Sequence, residues 1–219
     1  MKFYPIILLF LLSTIFGCDK STSAEEVENI ADTTKDEQTV TDTTPLHKLA
    51  RLKTDFGNLL FWLHNQTPQH KNHFIALIEE GFFNQETINR VVKNFVVQGG
   101  CPDTSNTGFV HYPIEPEFDS SLQHIYGALG MGRYGEDVNP EKWSNGCQFY
   151  IVSDTSGEHQ LDMNYTIFGQ LVDGFQALDS LNRARTGLFD DVPRDSIIIS
   201  WNMEEWSEKA LKDSFNFEP

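Results

Sequence analysis

Ile88-Asn89-Arg90-Val91-Val92-Lys93-Asn94-Phe95-Val96-Val97-Gln98-Gly99-Gly100 is the stretch on which the fold turns. Its β-branched pairs, Val91-Val92 and Val96-Val97, read as strand with an interruption at Lys93-Asn94. Gly99-Gly100 marks a bend or a close backbone approach. Toward the N-terminus, Asp55-Phe56-Gly57-Asn58 suits a turn, and Leu59-Leu60-Phe61-Trp62-Leu63 a buried strand. Thr67-Pro68 supplies an N-cap and a first-turn proline, Phe74, Leu77 and Ile78 form a stripe at helical spacing, and Gly81 ends that helix. Toward the C-terminus, residues 101–124 are loop-rich, and strands are expected at 127–131, 148–152 and 165–171. A second helix is expected over 175–183 with Phe175, Leu178 and Leu181 inward, then a last strand at 197–199. Short strands with two helices among them predict a mainly β fold, a closed or nearly closed antiparallel barrel capped by the helices. The acidic, aromatic tail after Asn202 has room for a short helix around 204–214.

The 219 residues suffice for one well-cored domain plus extensions. A formal charge of -16 would repel a polyphosphate backbone, which argues against nucleic acid as a partner. At the N-terminus, Lys2 precedes an apolar run at 6–12, followed by Ile15-Phe16-Gly17-Cys18. The run is too short to span a bilayer and reads as an export signal. A Cys directly after a small residue resembles a bacterial lipobox, in which that thiol is diacylated and becomes the mature N-terminus. The alternative is an ordinary signal peptide that contains a Cys. The expected organisation is a signal peptide at 1–17, lipidated Cys18 with a flexible acidic tether at 18–45, the folded domain at 46–201 and a C-terminal extension at 202–219. The tether is rich in Ser, Thr, Asp and Glu and cannot bury enough apolar surface to offset its chain entropy. This organisation predicts a monomer anchored by lipid at a bacterial cell envelope, facing the periplasm or associated with the outer membrane.

Cys101 and Cys147 remain, in a compartment where disulfides persist. The sequence leaves open whether they are bridged or are two buried thiols. Neither has metal-ligand spacing, and His70 with His73 reads more readily as a solvated helix face than as a metal pair, so no metal and no cofactor are expected. The motifs G-x-S-x-G, H-E-x-x-H, G-x-x-x-x-G-K-[ST] and G-x-G-x-x-G are absent. The expected chemistry is one that needs no proton transfer.

Residues 88–100 resemble the cyclophilin segment that reads Phe-His-Arg, two apolar residues, Pro-Gly-Phe, two apolar residues, Gln-Gly-Gly. In the family's order and at compatible spacing follow His124-Ile125-Tyr126-Gly127-Ala128-Leu129-Gly130-Met131, Asn139-Pro140-Glu141-Lys142, Asn145-Gly146-Cys147-Gln148-Phe149-Tyr150-Ile151, and Leu161-Asp162 through Phe168-Gly169. The resemblance covers about residues 54–200. It implies an eight-stranded closed barrel with two capping helices, and isomerisation of X-Pro peptide bonds in exported polypeptides. Arg90 matches the catalytic arginine and Gln98 the glutamine that hydrogen-bonds and orients it. Phe95, Val96, Tyr150, Leu161 and Tyr165 fall at positions lining a proline pocket, Gln148 at its rim, and Gly132 and Arg133 at the backbone stretch that pairs with the substrate peptide. Taken alone, Arg90 reads as a strand arginine in a surface ion pair, and the pocket residues read as core.

Several positions depart from the family pattern. Ile88-Asn89 stands for Phe-His, Lys93-Asn94 for Pro-Gly, and Val96 where Met is frequent. Gln160 and Tyr165 replace the Trp and His of cyclosporin-sensitive members, which implies weak cyclosporin binding. The competing expectations are a catalytically weak module that binds proline-containing segments, and a holding chaperone for unfolded chains.

Overall fold

The computed structural model describes residues 45–101, 112–187 and 191–219 of the protein. The signal segment, Cys18 and the tether lie outside the described residues. The chain enters on β1 (Leu46–Thr54), turns through Asp55-Phe56 and returns on β2 (Gly57–Leu63). Helix α1 (Pro68–Glu79) leads to β3 (Thr87–Val92) and β4 (Val96–Gly100). The short β5 (Pro113–Ile114), β6 (Ala128–Met131), β7 (Ser144–Asn145), β8 (Gln148–Val152) and β9 (Ile167–Asp173) come next. Then follow α2 (Phe175–Asn182), β10 (Ile197–Ile198), β11 (Ser200–Ser207) and α3 (Glu208–Phe215). Nine strands form one antiparallel sheet in the order β10-β3-β4-β8-β6-β9-β2-β1-β11, and β5 pairs with β7 separately. The mainly β, antiparallel architecture is the one expected. The sheet curls as a half-barrel of nine strands, and the pairs among the described residues do not close β10 onto β11.

Alternation places Leu59, Phe61 and Leu63 of β2 in the main core with Val97, Leu129, Phe149, Ile151 and Phe168. Helix α1 seals that core with Phe74, whose ring centroid lies 4.9 Å from Phe168, 5.0 Å from Trp201 and 5.2 Å from Phe83. Thr67 holds the N-cap position, but its hydroxyl makes no cap bond. The Glu117 carboxylate takes that role, accepting from the Gln69 and His70 backbone N–H at 3.0 and 2.9 Å, where helix donors are unpaired and the dipole favours an anion. His70 is fully buried rather than on a solvated helix face, with Nδ1 2.7 Å from Glu117 and Nε2 2.9 Å from Ser144 Oγ.

Two expectations change at the ends of elements. Phe175 does not face inward. It stands in the first turn of α2, 40 % exposed against the Tyr126 ring, while Ala177, Leu178 and Leu181 are buried. The helix expected from 204 starts only at Glu208, because residues 200–207 pair with β1 from Leu46, opposite Ser207, to Lys53, opposite Ser200. Arg51 fastens this ladder through a two-pronged bond to Glu204, at 2.5 and 2.9 Å. Beyond the strands, α3 buries Leu211 against Leu49, Leu60 and Val172 on the outer face, with Trp62, Trp206, Phe215 and Phe217 around them. With both faces covered, β2 reads as an unbroken apolar run rather than as an alternation.

Candidate active site on the outer face of the sheet

Arg90 on β3 stands opposite Gln98 on β4, and Gln98 stands opposite Tyr150 on β8, so one row of side chains crosses three strands on the outer face. A register shift between Ile88 and Arg90 sets Asn89 as a bulge, from which Nδ2 donates to the Cys101 carbonyl at 3.3 Å. Ile88 is in the core, 2 % exposed. The Lys93-Asn94 turn works because Asn94 adopts a left-handed backbone, φ +55°, a conformation asparagine tolerates almost as glycine does. Both departures from the family pattern therefore leave Arg90 and Gln98 in register.

Below this row lies a second cluster, separate from the main core: Val96, Ala128, Tyr150, Val152 and Ile167, with Phe95, Leu122, Leu161 and Tyr165 packed against it. Together they shape a cleft of about 270 Å³, lined by all ten expected site residues: Arg90, Phe95, Val96, Gln98, Gly132, Arg133, Gln148, Tyr150, Leu161 and Tyr165. Tyr134 lines it as well, a residue the sequence reading missed. The cleft thus joins two guanidiniums, two carboxamides and an aromatic wall. The Tyr150 and Tyr165 rings meet edge to face, centroids 5.9 Å apart. Gly130 makes room for this wall: a Cβ there would sit 2.3 Å from Tyr150 Cζ.

Three expectations about roles are modified. Among the described residues the strand ladder pairs Gln98 with Arg90, but no hydrogen bond joins their side chains. The Arg90 guanidinium instead pairs with Asp191, Nη2 to Oδ2 3.7 Å, with both side chains partly exposed. Asp191 comes within reach because its carbonyl accepts from the Val91 N–H at 2.8 Å, which fastens this turn to β3. Gly132 is less available to a peptide than expected, since its N–H is already given to the Gln148 carbonyl at 2.8 Å and its carbonyl accepts from Asn145 at 2.7 Å. Arg133 contributes a side chain and not only backbone. Its guanidinium lies 4.4 Å over the Tyr165 ring and donates to the Asn164 carbonyl at 2.8 Å, so it braces that wall of the cleft.

A buried polar chain backs the same wall. Tyr150 Oη donates to His124 Nε2 at 2.7 Å, His124 Nδ1 donates to Asp162 Oδ1 at 2.7 Å, and His159 Nδ1 reaches Asp162 Oδ2 at 3.0 Å. Burial pushes the His124 imidazole below its usual range, so it stays neutral. Burial opposes the Asp162 charge too, but hydrogen bonds from the His124 backbone and ring and from His159 outweigh it and hold the carboxyl below its usual range. Burial also pushes the Tyr150 phenol well above its ordinary value. The carboxylate, imidazole and hydroxyl have the order of a nucleophilic relay, but a phenol this hard to ionise holds position rather than attacks. Among the described residues no cluster of metal-ligating side chains is present.

Cys101 and Cys147 are joined, Cα atoms 5.5 Å apart, linking the end of β4 to the start of β8 beside the cleft rim. There Gln148 Nε2 donates to the Cys101 carbonyl at 3.4 Å.

Comparison with known proteins agrees with this geometry. Residues 49–203 match the family model described as cyclophilin type peptidyl-prolyl cis-trans isomerase/CLD. A Staphylococcus saprophyticus protein named as a peptidyl-prolyl cis-trans isomerase is 29 % identical over 182 residues, covering 68 % of this chain and 89 % of its own. A Staphylococcus aureus protein of the same name is 27 % identical over 184 residues, covering 70 % and 90 %. Among solved structures, a Cryptosporidium parvum cyclophilin type peptidyl-prolyl cis-trans isomerase, crystallised in the presence of the dipeptide Ala-Pro, superposes with a TM-score of 0.63 at 29 % identity, covering 73 % of this chain and 99 % of that one. With the family match spanning most of the described sheet and the arginine row lying over an aromatic cleft, the chain belongs to the cyclophilin-type peptidyl-prolyl cis-trans isomerases.

Proposed function

We propose that the protein accelerates X-Pro isomerisation in exported polypeptides at a bacterial cell envelope, with Arg90 stabilising the twisted peptide bond. Rotation about a peptide bond costs roughly 18–20 kcal/mol because the nitrogen shares its lone pair with the carbonyl. Halfway through rotation that lone pair returns to nitrogen and can accept a hydrogen bond. A guanidinium is permanently charged with donors in a fixed fork, so it can bond the prolyl nitrogen in the twisted state more strongly than in either planar form. The carrying observation is that Arg90 stands at the edge of a cleft whose apolar wall, Phe95, Val96, Tyr150, Leu161 and Tyr165, suits a pyrrolidine ring. Isomerisation of an Ala-Pro peptide by the full chain and by Arg90→Ala tests this. The variant is expected to lose about 100-fold or more, as when a preorganised donor is removed; a loss under threefold overturns the role of Arg90.

The envelope placement draws support from Lys2, the apolar run at 6–12 and Gly17-Cys18. The Cys101–Cys147 bond also fits an oxidising compartment. Incorporation of labelled fatty acid in a bacterial host, abolished by Cys18→Ser, is the expected result; a soluble, unlabelled wild-type protein overturns the anchor. A second reading, a module that binds prolyl segments with little turnover, draws on the carboxylate of Asp191 beside Arg90. It predicts peptide binding by the wild type without acceleration.

A further inference from the structure

The chain Asp162–His124–Tyr150 ends in the wall of the cleft but begins outside it. His124 is fully buried and is not among the cleft-lining residues, so anything it does to a substrate passes through Tyr150. A buried phenol needs a hydrogen-bond partner, because leaving its hydroxyl unpaired away from water is costly. Here the partner is His124 Nε2, free to accept because Asp162 takes the proton side of the ring at Nδ1, while the same Asp162 oxygen also accepts from the His124 backbone N–H at 2.8 Å. His124 is thus held both by its backbone and by its ring, and Tyr150 is held by His124. The ring is further confined by the bare backbone of Gly130 and by the Tyr165 edge.

We propose that His124 and Asp162 are positioning residues for prolyl-peptide binding: Asp162 fixes His124 as the Nδ1–H tautomer, and His124 Nε2 fixes the Tyr150 ring as a rigid wall of the proline cleft. The bond to His124 satisfies the phenol inside the protein, so the cleft meets a prolyl ring with an apolar surface already ordered before binding. A pre-ordered wall loses little side-chain entropy when the ring docks. This rests on the isomerase reading above and adds residues to it.

The test measures both the Kd of an Ala-Pro peptide by NMR titration and its turnover at saturation, on the full chain. Tyr150→Phe and His124→Gln are each expected to weaken Kd threefold or more, with the larger loss in Kd than in kcat. The double variant is expected to be no worse than the poorer single, because both substitutions break one unit. Losses under threefold in Tyr150→Phe, or losses that multiply in the double variant, overturn the proposal. Should His124→Gln fail to fold, Asp162→Asn replaces it. Its expected result is a shifted Tyr150 ¹³Cζ resonance together with weaker Kd; an unmoved resonance overturns the proposal. Arg90→Ala in the same assay keeps the two readings apart, since it is expected to abolish turnover while leaving the dependence of Kd on His124 intact.

Discussion

The Asp191 carboxylate lies 3.7 Å from the Arg90 guanidinium, on the far side of β3 from Gln98 in the strand register. A donor engaged by a carboxylate is partly neutralised, so on the role proposed for Arg90 the Asp191 carboxylate would compete with the prolyl nitrogen for the same charge. Exposed pairs of this kind are worth about 0–1 kcal/mol, which limits the effect. Asp191→Asn is expected to raise kcat/KM by up to about fivefold at low salt, with the gap closing at about 1 M salt, where screening falls to about 3 Å. A variant slower than wild type at low salt would show that Asp191 aims the guanidinium instead of competing for it.

Stability is expected to fall as pH is lowered from 7.5 to 5.5. Burial holds the His64, His70 and His124 imidazoles below their ordinary range near 6.5, so in this window the unfolded chain takes up protons that the folded one refuses. Proton uptake by the unfolded state makes stability decrease with falling pH. The depressed carboxyls of Glu117 and Asp162 extend the decline in the same direction below about pH 4. Urea midpoints at pH 7.5, 6.5 and 5.5 check this; a midpoint that rises toward pH 5.5 would contradict it.

Removing the outer-face contact of α3 tests whether the C-terminal segment is part of the fold. Leu211 is fully buried against Leu49, Leu60 and Val172. Leu211→Ala is expected to cost about 2–5 kcal/mol in urea unfolding, the range for truncating a buried leucine, with turnover per folded molecule within twofold of wild type. A cost under about 0.5 kcal/mol would mean that α3 merely rests on the sheet.

Gly130→Ala probes the aromatic wall from behind. The added methyl would meet Tyr150 Cζ at 2.3 Å and its hydroxyl at 2.4 Å, so the ring must move or the strand must shift. Overpacking of this kind costs about 1–3 kcal/mol, and prolyl-peptide affinity is expected to fall with it. Unchanged melting and unchanged Kd would show that the ring has room the structure does not display.

The β3–β4 pair, α1 and the cleft residues are legible in the sequence because they rest on local spacing: β-branched pairs around Lys93-Asn94, a proline-led apolar stripe, and ordered blocks shared with a family. β1 is not legible. Leu49, Ala50 and Leu52 are buried on different faces, one covered by the core and the other by α3, so the two-residue alternation that marks a strand is blurred. The Glu117 cap on α1 and the reach of Asp191 to Arg90 are equally hidden, since each is set by a tertiary approach of segments far apart in the chain. His124 and Asp162 sit inside blocks that carry the family resemblance, but their pairing spans 38 positions and shows only once the strands are placed.

The Cys101–Cys147 bond makes the intervening stretch of chain a covalent ring. A single backbone cut anywhere between these two residues would release no fragment. The nicked protein would run as one species without reductant and as two with it, and β4 and β8, carrying Gln98 and Tyr150, would remain tied to each other throughout.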